Sequence, residues 1–288
     1  FGYMNQYGRV DTVYDQGSFD FQIAGSEGKL LFYPTNFSVN DYDVTALAYN
    51  LNDNYLGIGS TALGGIVDIN TSSTKVPSGT QTTVVGIAST YRSVKVLVEI
   101  TPDAGGDGET INSTEWEYTE LNVIHDGTTV DLMEYGELTT TQGEFAGDAG
   151  FGTFYPYISG NDLKVDFIPN AGIGTTCVVN TIQVAISSES SSGIATVDMN
   201  HAQIVAKTTS ISASATPIAV PVAQYTNDYD AAYIIAQVSD TTNNFYQMSE
   251  IAVVDNYIAD PSETVQTFDL EYGNVVVNNA SGLGTIGS

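Results

Sequence analysis

The stretch Glu120-Leu-Asn-Val-Ile-His-Asp-Gly-Thr-Thr-Val-Asp-Leu-Met-Glu-Tyr-Gly-Glu-Leu138 contains a strand, a tight turn and a second strand. Apolar residues alternate with polar ones on both sides of the Asp126-Gly127 pair. Asp-Gly between alternating apolar residues is one of the best short-range signals of a β-hairpin, because glycine adopts a positive φ without steric cost. The stretch therefore predicts a β-hairpin, from which the rest of the chain can be interpreted.

Parts of this hairpin recur along the chain. Residues 250–256 are similar to 120–126, and the Glu-Tyr-Gly of residues 134–136 returns at 271–273. Tyr-Gly occurs a third time at residues 7–8. The chain is therefore predicted to be a tandem array of one β-domain.

Other matches have a similar offset. Residues 29–34 match 164–169 at an offset of 135, and residues 91–100 match 229–238 at an offset of 138. We therefore divide the chain into residues 1–75, the C-terminal portion of a first β-repeat, residues 76–207, a complete repeat, and residues 208–288, the N-terminal portion of a third. Either a longer parent chain or a permuted domain would produce this division, and we favour the longer parent.

The complete repeat contains short alternating segments separated by residues that favour turns. This pattern predicts an all-β fold of tandem antiparallel β-sandwich (Ig-like) domains. No amphipathic helix is expected, and residues 60–65 are predicted to form a short turn. The predicted strands are residues 83–87, 93–100, 117–124, 129–133, 154–159, 163–168 and 181–186.

The charge is strongly one-sided, with 34 acidic and 7 basic residues and a formal net charge of −27. No Lys or Arg follows Lys207. Nucleic-acid binding needs cations that neutralise phosphates, so this class of partner is excluded, and an anionic membrane surface is disfavoured for the same reason. No apolar run reaches the ~18 residues of a membrane span. A saline extracellular setting fits this charge, because salt screens the self-repulsion.

Residues typical of enzymes are sparse. His125 lies in the predicted turn and is interpreted as a surface residue, and His201 has no His or Cys at metal-ligand spacing. Cys177 lies in an apolar run and is interpreted as a buried free thiol. A Gly-x-Ser-x-Gly nucleophile motif is absent. From these observations we predict that the chain is not an enzyme.

The most suggestive polar cluster alternates carboxylates with aromatic rings. Glu115, Glu117 and Glu120 flank Trp116 and Tyr118, as in a sugar site with a carboxylate pair and an aromatic platform. The competing interpretation is that these aromatic residues form core or cross-strand contacts. The candidate glycan contacts are Trp116, Tyr118, Tyr155 and Tyr157.

No cofactor is predicted except Ca²⁺, which prefers hard oxygen ligands. Asp103, Asp107 and Glu109 lie in a glycine-rich segment that could supply such ligands, as could residues 40–43. Neither segment has the twelve-residue calcium loop pattern, so an ordinary solvated loop is the competing interpretation.

The order of these elements, Leu121 to Val130 followed by Glu134-Tyr-Gly136 and then residues 163–170, resembles the repeat units of large virion structural proteins of marine cyanophages with contractile tails. The resemblance covers the second repeat and parts of the other two. It implies a virion-exterior location in a tail, baseplate, fibre or head surface, and it assigns no role to any residue.

The leading hypothesis is a non-enzymatic virion structural protein that assembles with copies of itself and with other virion proteins. The alternative is an extracellular adhesin or carbohydrate-binding array that contacts a host-surface glycan. A secreted polysaccharide hydrolase that uses Glu117 is a third hypothesis.

Overall fold

Every regular element that the computed structural model describes is a β-strand. The described residues are 17–24, 27–34, 57–103, 115–140, 150–170, 176–188, 193–199, 202–210, 231–255 and 267–278. The strands are β1 (Gly17–Ala24), β2 (Glu27–Pro34), β3 (Gly57–Leu63), β4 (Val67–Val76), β5 (Thr82–Ala88), β6 (Tyr91–Asp103), β7 (Glu117–His125), β8 (Val130–Thr139), β9 (Gly152–Ser159), β10 (Asp162–Pro169), β11 (Thr176–Ser187), β12 (Gly193–Met199), β13 (Ala202–Thr208), β14 (Ala231–Asp240), β15 (Phe245–Asp255) and β16 (Thr267–Val277).

The main core lies between a six-stranded sheet and a three-stranded sheet, both antiparallel. The larger sheet has the order β3-β4-β11-β6-β7-β8, and the smaller has the order β5-β10-β9. Alternate residues of β6 and β7 point into this core, as the pleat of a strand requires. The buried residues include Val94, Val96, Val98, Ile100, Leu121, Val123, Phe151, Phe154, Leu163, Val165 and Phe167.

A third layer covers the opposite face of the large sheet. Strands β14-β15-β16 form an antiparallel sheet that packs against β7 and β8. Ile124 of β7 is buried there against Tyr246, Met248, Val275 and Val277. Covering on both faces explains why eight of the nine residues of β7 are buried, whereas a strand of a two-layer sandwich that faces water is buried at every second position.

The structure repeats its own hairpins strand for strand. β9 and β10 lie 135 residues after β1 and β2, and Gly152↔Pro169 repeats the Gly17↔Pro34 pairing. The β6-β7-β8 unit likewise returns as β14-β15-β16. The register of β7 shifts just before Glu120, and that of β15 shifts just before Glu250.

A glycine lies opposite each of these irregularities. Gly136 and Gly273, the glycines of the two Tyr-Gly pairs, have φ of 71° and 61°. This left-handed conformation strains residues that carry a Cβ, so glycine is favoured at both positions. The recurring Tyr-Gly pair is therefore explained by a recurring β-bulge.

The all-β prediction is confirmed, and each of the seven predicted strands is present with longer bounds. The predicted turn at residues 60–65 is wrong over its first four residues, because β3 continues to Leu63 and the turn is made by Gly64 and Gly65 with positive φ. The Ig-like tandem arrangement is not confirmed. The repeat boundaries at 76 and 207 stay a prediction, and β3 and β4, which precede residue 77, belong to the large sheet. Among the described residues no helix is long and apolar enough to span a membrane.

Candidate functional sites

The outer side of the β5-β10-β9 sheet carries two of the predicted glycan contacts, and we call this side the tyrosine face. Tyr155 and Tyr157 are two residues apart on β9 and therefore point to the same side. The side chain of Tyr155 is 45% exposed, and Tyr157 is half-buried. Across the sheet they lie opposite Asp166 and Lys164 respectively. Aromatic rings thus alternate with charged groups on one surface.

Asp166 is held rigidly at the centre of the tyrosine face. Its Oδ1 accepts hydrogen bonds from Thr83 Oγ1 at 2.6 Å and from the Tyr157 hydroxyl at 3.2 Å. Its Oδ2 accepts a hydrogen bond from Gln81 Nε2 at 2.8 Å. These bonds tie all three strands and the start of β5 together, so the phenol rings stand on a preorganised polar surface.

The other two predicted contacts lie elsewhere. Trp116 precedes β7, half-buried, and its backbone N–H donates to Thr140 Oγ1 at 2.8 Å. The Tyr118 hydroxyl donates to Glu120 Oε1 at 2.9 Å, and burial raises the pKa of Tyr118 to about 12. The four aromatic residues are therefore divided between two sheets and do not form one site.

A polar cluster lies between the large sheet and the β14-β15-β16 layer, and we call it the interlayer cluster. It consists of Lys95, Glu120, Asn122, Tyr135 and Glu250. Lys95 Nζ lies 3.0 Å from Glu250 Oε1 and also pairs with Glu120. Asn122 Nδ2 donates to Glu250 Oε1 at 2.6 Å, and the Tyr135 hydroxyl donates to the same oxygen.

Burial changes the acid–base properties of this cluster. It lowers the pKa of Lys95 to about 8, although the charge of Glu250 acts in the opposite direction. Burial and the negative charge of Glu250 together raise the pKa of Glu120 to about 7. Burial therefore moves the pKa values of Lys95 and Glu120 towards neutrality, away from those of ordinary surface lysines and glutamates.

Sequence reasoning missed the interlayer cluster. Two signals were present: a lysine at residue 95 in the middle of an apolar strand, and the equivalence of Glu120 with Glu250 in the repeat. Neither signal reveals that the two equivalent glutamates face each other, because that depends on how the layers pack.

Glu117, the candidate hydrolase residue, is buried on the core side of β7. It is 2% exposed, and its Oε2 accepts a hydrogen bond from the Phe151 backbone N–H at 2.5 Å. Burial, with a smaller contribution from the charges of Glu137 and Glu134, raises its pKa to about 8, although this hydrogen bond acts in the opposite direction. Glu120 points to the opposite face of the same strand. The two carboxylates therefore do not form the pair that the sugar-site interpretation required.

The interpretation of His125 as a surface residue is wrong. The side chain is fully buried at the end of β7, with Nε2 2.8 Å from the Tyr91 carbonyl oxygen and Nδ1 accepting from the Gly127 N–H at 3.0 Å. Burial lowers its pKa, and the nearby Arg92 cation does so as well. The hairpin turn is instead stabilised by Asp126, whose Oδ1 accepts from the N–H groups of Thr128 and Thr129, both at 2.7 Å.

Of the predicted calcium ligands only Asp103 is described. It is fully buried at the end of β6, whereas Asp107, Glu109 and residues 40–43 lie outside the described residues, as does His201. Within the described ranges no group of three or more His, Cys, Asp or Glu side chains is arranged to hold a metal. The Ca²⁺ site stays a prediction. Cys177 is a buried free thiol.

Comparison with known proteins yields little. No protein-family model matches the chain, and no curated protein does. A solved structure to which the chain is similar is a tailspike protein from the Acinetobacter baumannii bacteriophage Fri1, a capsular polysaccharide depolymerase. The two are 20% identical, the match covers 48% of this chain and 21% of that chain, and the TM-score is 0.27.

That neighbour is an enzyme, and the comparison therefore contradicts the prediction that this chain is not one. We withdraw that prediction. The match spans only about a fifth of the tailspike's length.

Proposed function

We propose that the chain forms part of the exterior of a phage particle, in a tail, baseplate, fibre or head surface, and contacts host-surface glycans through the tyrosine face. The resemblance of its repeats to cyanophage virion proteins supports the location. Copies of itself and other virion proteins are its expected partners in the particle.

The observation that carries the glycan contact is the exposure of Tyr155 on a surface fixed by hydrogen bonds. An aromatic ring offers a flat apolar face to a sugar ring, and its hydroxyl remains available to polar groups. Asp166 lies opposite Tyr155 and is buried, and Lys164 lies opposite the neighbouring Tyr157 on the same face. The rigidity of Asp166 reduces the entropy lost on binding.

The test is saccharide binding by the purified chain, measured on an array of bacterial surface polysaccharides. Tyr155→Ala is expected to abolish binding or weaken it at least tenfold. Tyr33→Ala is the matched control, because Tyr33 is 53% exposed on the equivalent hairpin β1–β2. In that hairpin the positions equivalent to Tyr155 and Tyr157 are occupied by Asp20 and Gln22, which are not aromatic. Binding that survives Tyr155→Ala, or that is lost equally in both variants, would refute the proposed face.

Three further measurements separate the remaining parts of the proposal. Released reducing ends are measured on the same saccharides, which distinguishes binding from cleavage. Trp116→Ala tests the second predicted aromatic region independently. Immunogold electron microscopy with an antibody against residues 76–207 tests the location: label on tails, fibres or capsids is expected, and label on cell envelopes would instead indicate an adhesin.

A further inference from the structure

Three groups of the interlayer cluster have the arrangement of an amide-forming reaction. Lys95 of β6 and Asn122 of β7 are direct cross-strand partners, and side chains at such positions are close neighbours. Glu250 reaches both from β15, with the same Oε1 lying 3.0 Å from Lys95 Nζ and 2.6 Å from Asn122 Nδ2. An amine and a carboxamide on paired strand positions therefore share one carboxylate oxygen.

The surroundings exclude water from these groups. Lys95 is 2% exposed, and Asn122 and Glu250 are fully buried. The second hydrogen bond of Asn122 Nδ2 goes to the Gly273 carbonyl oxygen at 2.9 Å, which fixes the plane of the amide. Its Oδ1 is buried and accepts no hydrogen bond from the described residues. The lowered pKa of Lys95 increases the share of neutral amine, which is the nucleophilic form.

We propose that Lys95 and Asn122 join in an intramolecular isopeptide bond, with Glu250 as the group that transfers protons. The neutral Lys95 Nζ attacks Asn122 Cγ, and the Nζ–Cγ bond forms. A proton passes from Nζ to the Glu250 carboxylate and from there to Asn122 Nδ2. The Cγ–Nδ2 bond then breaks and ammonia leaves. No oxidant, metal or other reactant is needed, since the products are one amide and one ammonia.

Tyrosine hydroxyls complete the environment of Glu250. Those of Tyr135 and Tyr233 donate to its two oxygens, and Tyr135 also contacts Lys95 Nζ. Glu120 is the other carboxylate at the lysine and is the group that accepts the first proton when the ammonium becomes an amine. With a pKa of about 7, close to that of Lys95, Glu120 is suited to this exchange.

The repeat provides an internal comparison. In β14–β16 the equivalents of Lys95 and Asn122 are Tyr233 and Ala252, which cannot form an amide. The reactive pair therefore belongs to one repeat, whereas Glu250 belongs to the next. It follows that the bond forms only after the β14-β15-β16 layer has packed against the large sheet. The presence of the bond would therefore show that the two repeats are in contact.

The experiment is intact-mass spectrometry of the folded 288-residue chain, followed by trypsin digestion. The bond lowers the mass by about 17 Da, the mass of ammonia. It also blocks cleavage after Lys95, because trypsin does not recognise an acylated lysine. The expected product is one continuous peptide of residues 93–164 that carries an internal cross-link, in place of the separate peptides 93–95 and 96–164. Fragmentation must place the cross-link between Lys95 and Asn122.

Matched variants assign the roles. Asn122→Ala introduces the residue found at the equivalent position 252 of β15. This variant is expected to have its full sequence mass and normal cleavage after Lys95. Glu250→Gln keeps both reacting groups and is expected to remain largely unreacted. If Glu250→Gln reacted as fast as the parent chain, the role of Glu250 would be refuted.

Other outcomes also decide against the proposal. A parent chain with its full sequence mass and normal cleavage after Lys95 would overturn it. A loss of about 18 Da, the mass of water, with the cross-link between Lys95 and Glu120 would show that Glu120 and not Asn122 is the acceptor. A loss of about 17 Da with normal cleavage after Lys95 would indicate cyclisation of an asparagine elsewhere in the chain, and would also overturn the proposal.

Discussion

Replacing Glu117 by glutamine is expected to stabilise the protein above about pH 5. The Glu117 carboxyl is buried beside the backbone N–H of Phe151, where ionisation is disfavoured. In the β14-β15-β16 unit the equivalent position is occupied by Gln247, which is 1% exposed. A neutral amide of similar size therefore fits this environment. Glu117→Gln therefore keeps the acceptor for the Phe151 N–H and removes the ionisable group.

The size of the effect follows from the two pKa values. The pKa of Glu117 is about 8 in the folded chain, compared with an ordinary value of 4.5. The folded state therefore retains a proton that the unfolded state releases between these values. The contribution of Glu117 to stability is greatest below about pH 4.5 and falls as pH rises towards 8, by roughly 1.4 kcal/mol per pH unit at most. By pH 7 the loss attributable to Glu117 is about 3 kcal/mol.

The assay is urea-induced unfolding of the parent chain and of Glu117→Gln at pH 5, 6, 7 and 8. We expect similar stability at pH 5 and a growing advantage for the variant at higher pH. Glu115→Gln is the control, because it removes a neighbouring glutamate that is only half-buried. The reasoning fails if the difference between the parent chain and Glu117→Gln does not change with pH, or if Glu115→Gln shows the same trend.

Three other changes test separate parts of the structure. Asp126→Ala removes the carboxylate that accepts the turn N–H groups, and the expected loss is about 1 kcal/mol near pH 6. Burial acts to raise the pKa of Asp126, but hydrogen bonds from Thr129 and Thr128 hold it at about 2. The stability lost in Asp126→Ala therefore becomes smaller as pH falls from about 4 to 2, and urea titrations at pH 2.5 and 6 would reveal the difference. Phe167→Ala removes a fully buried ring whose centroid lies 4.9 Å from that of Phe154, and should cost about 3–5 kcal/mol of unfolding free energy in the same titration. Gly273→Ala places a Cβ 2.7 Å from Asn122 Nδ2 at a positive φ, and hydrogen exchange should show faster opening of β15 and β16 but not of β9 and β10.

Local signals were sufficient for the strands and for the recurrence of the hairpins. The alternation around residues 93–100 and 163–168 predicted strands that are present, because a pleated strand with one apolar side has a two-residue period that is written in the chain. The Asp-Gly pair predicted the turn between β7 and β8 for a similarly local reason. The Tyr-Gly pairs marked the repeat, and the structure supplies their cause in the bulges opposite Gly136 and Gly273.

The candidate sites were only partly predictable. Tyr155 and Tyr157 could be proposed as neighbours because they are two residues apart on one strand. Trp116 and Glu117 were grouped with Glu120 by proximity in sequence, whereas in the strand Glu117 faces one layer and Glu120 the other. Burial decided the rest, since a carboxylate or imidazole has the same sequence signature whether its strand is covered on one face or on both.

The sequence by itself determined the strand pattern, the repeat and the acidic character, because each depends on residue type and local spacing alone. Only the tertiary structure decided that β14-β15-β16 covers the polar face of the large sheet. That packing brings Glu250 within reach of Lys95 and Asn122, which are 155 and 128 residues away in the chain. Contacts across layers depend on which faces of the sheets pack together, and the spacing of residues in the sequence does not determine this packing.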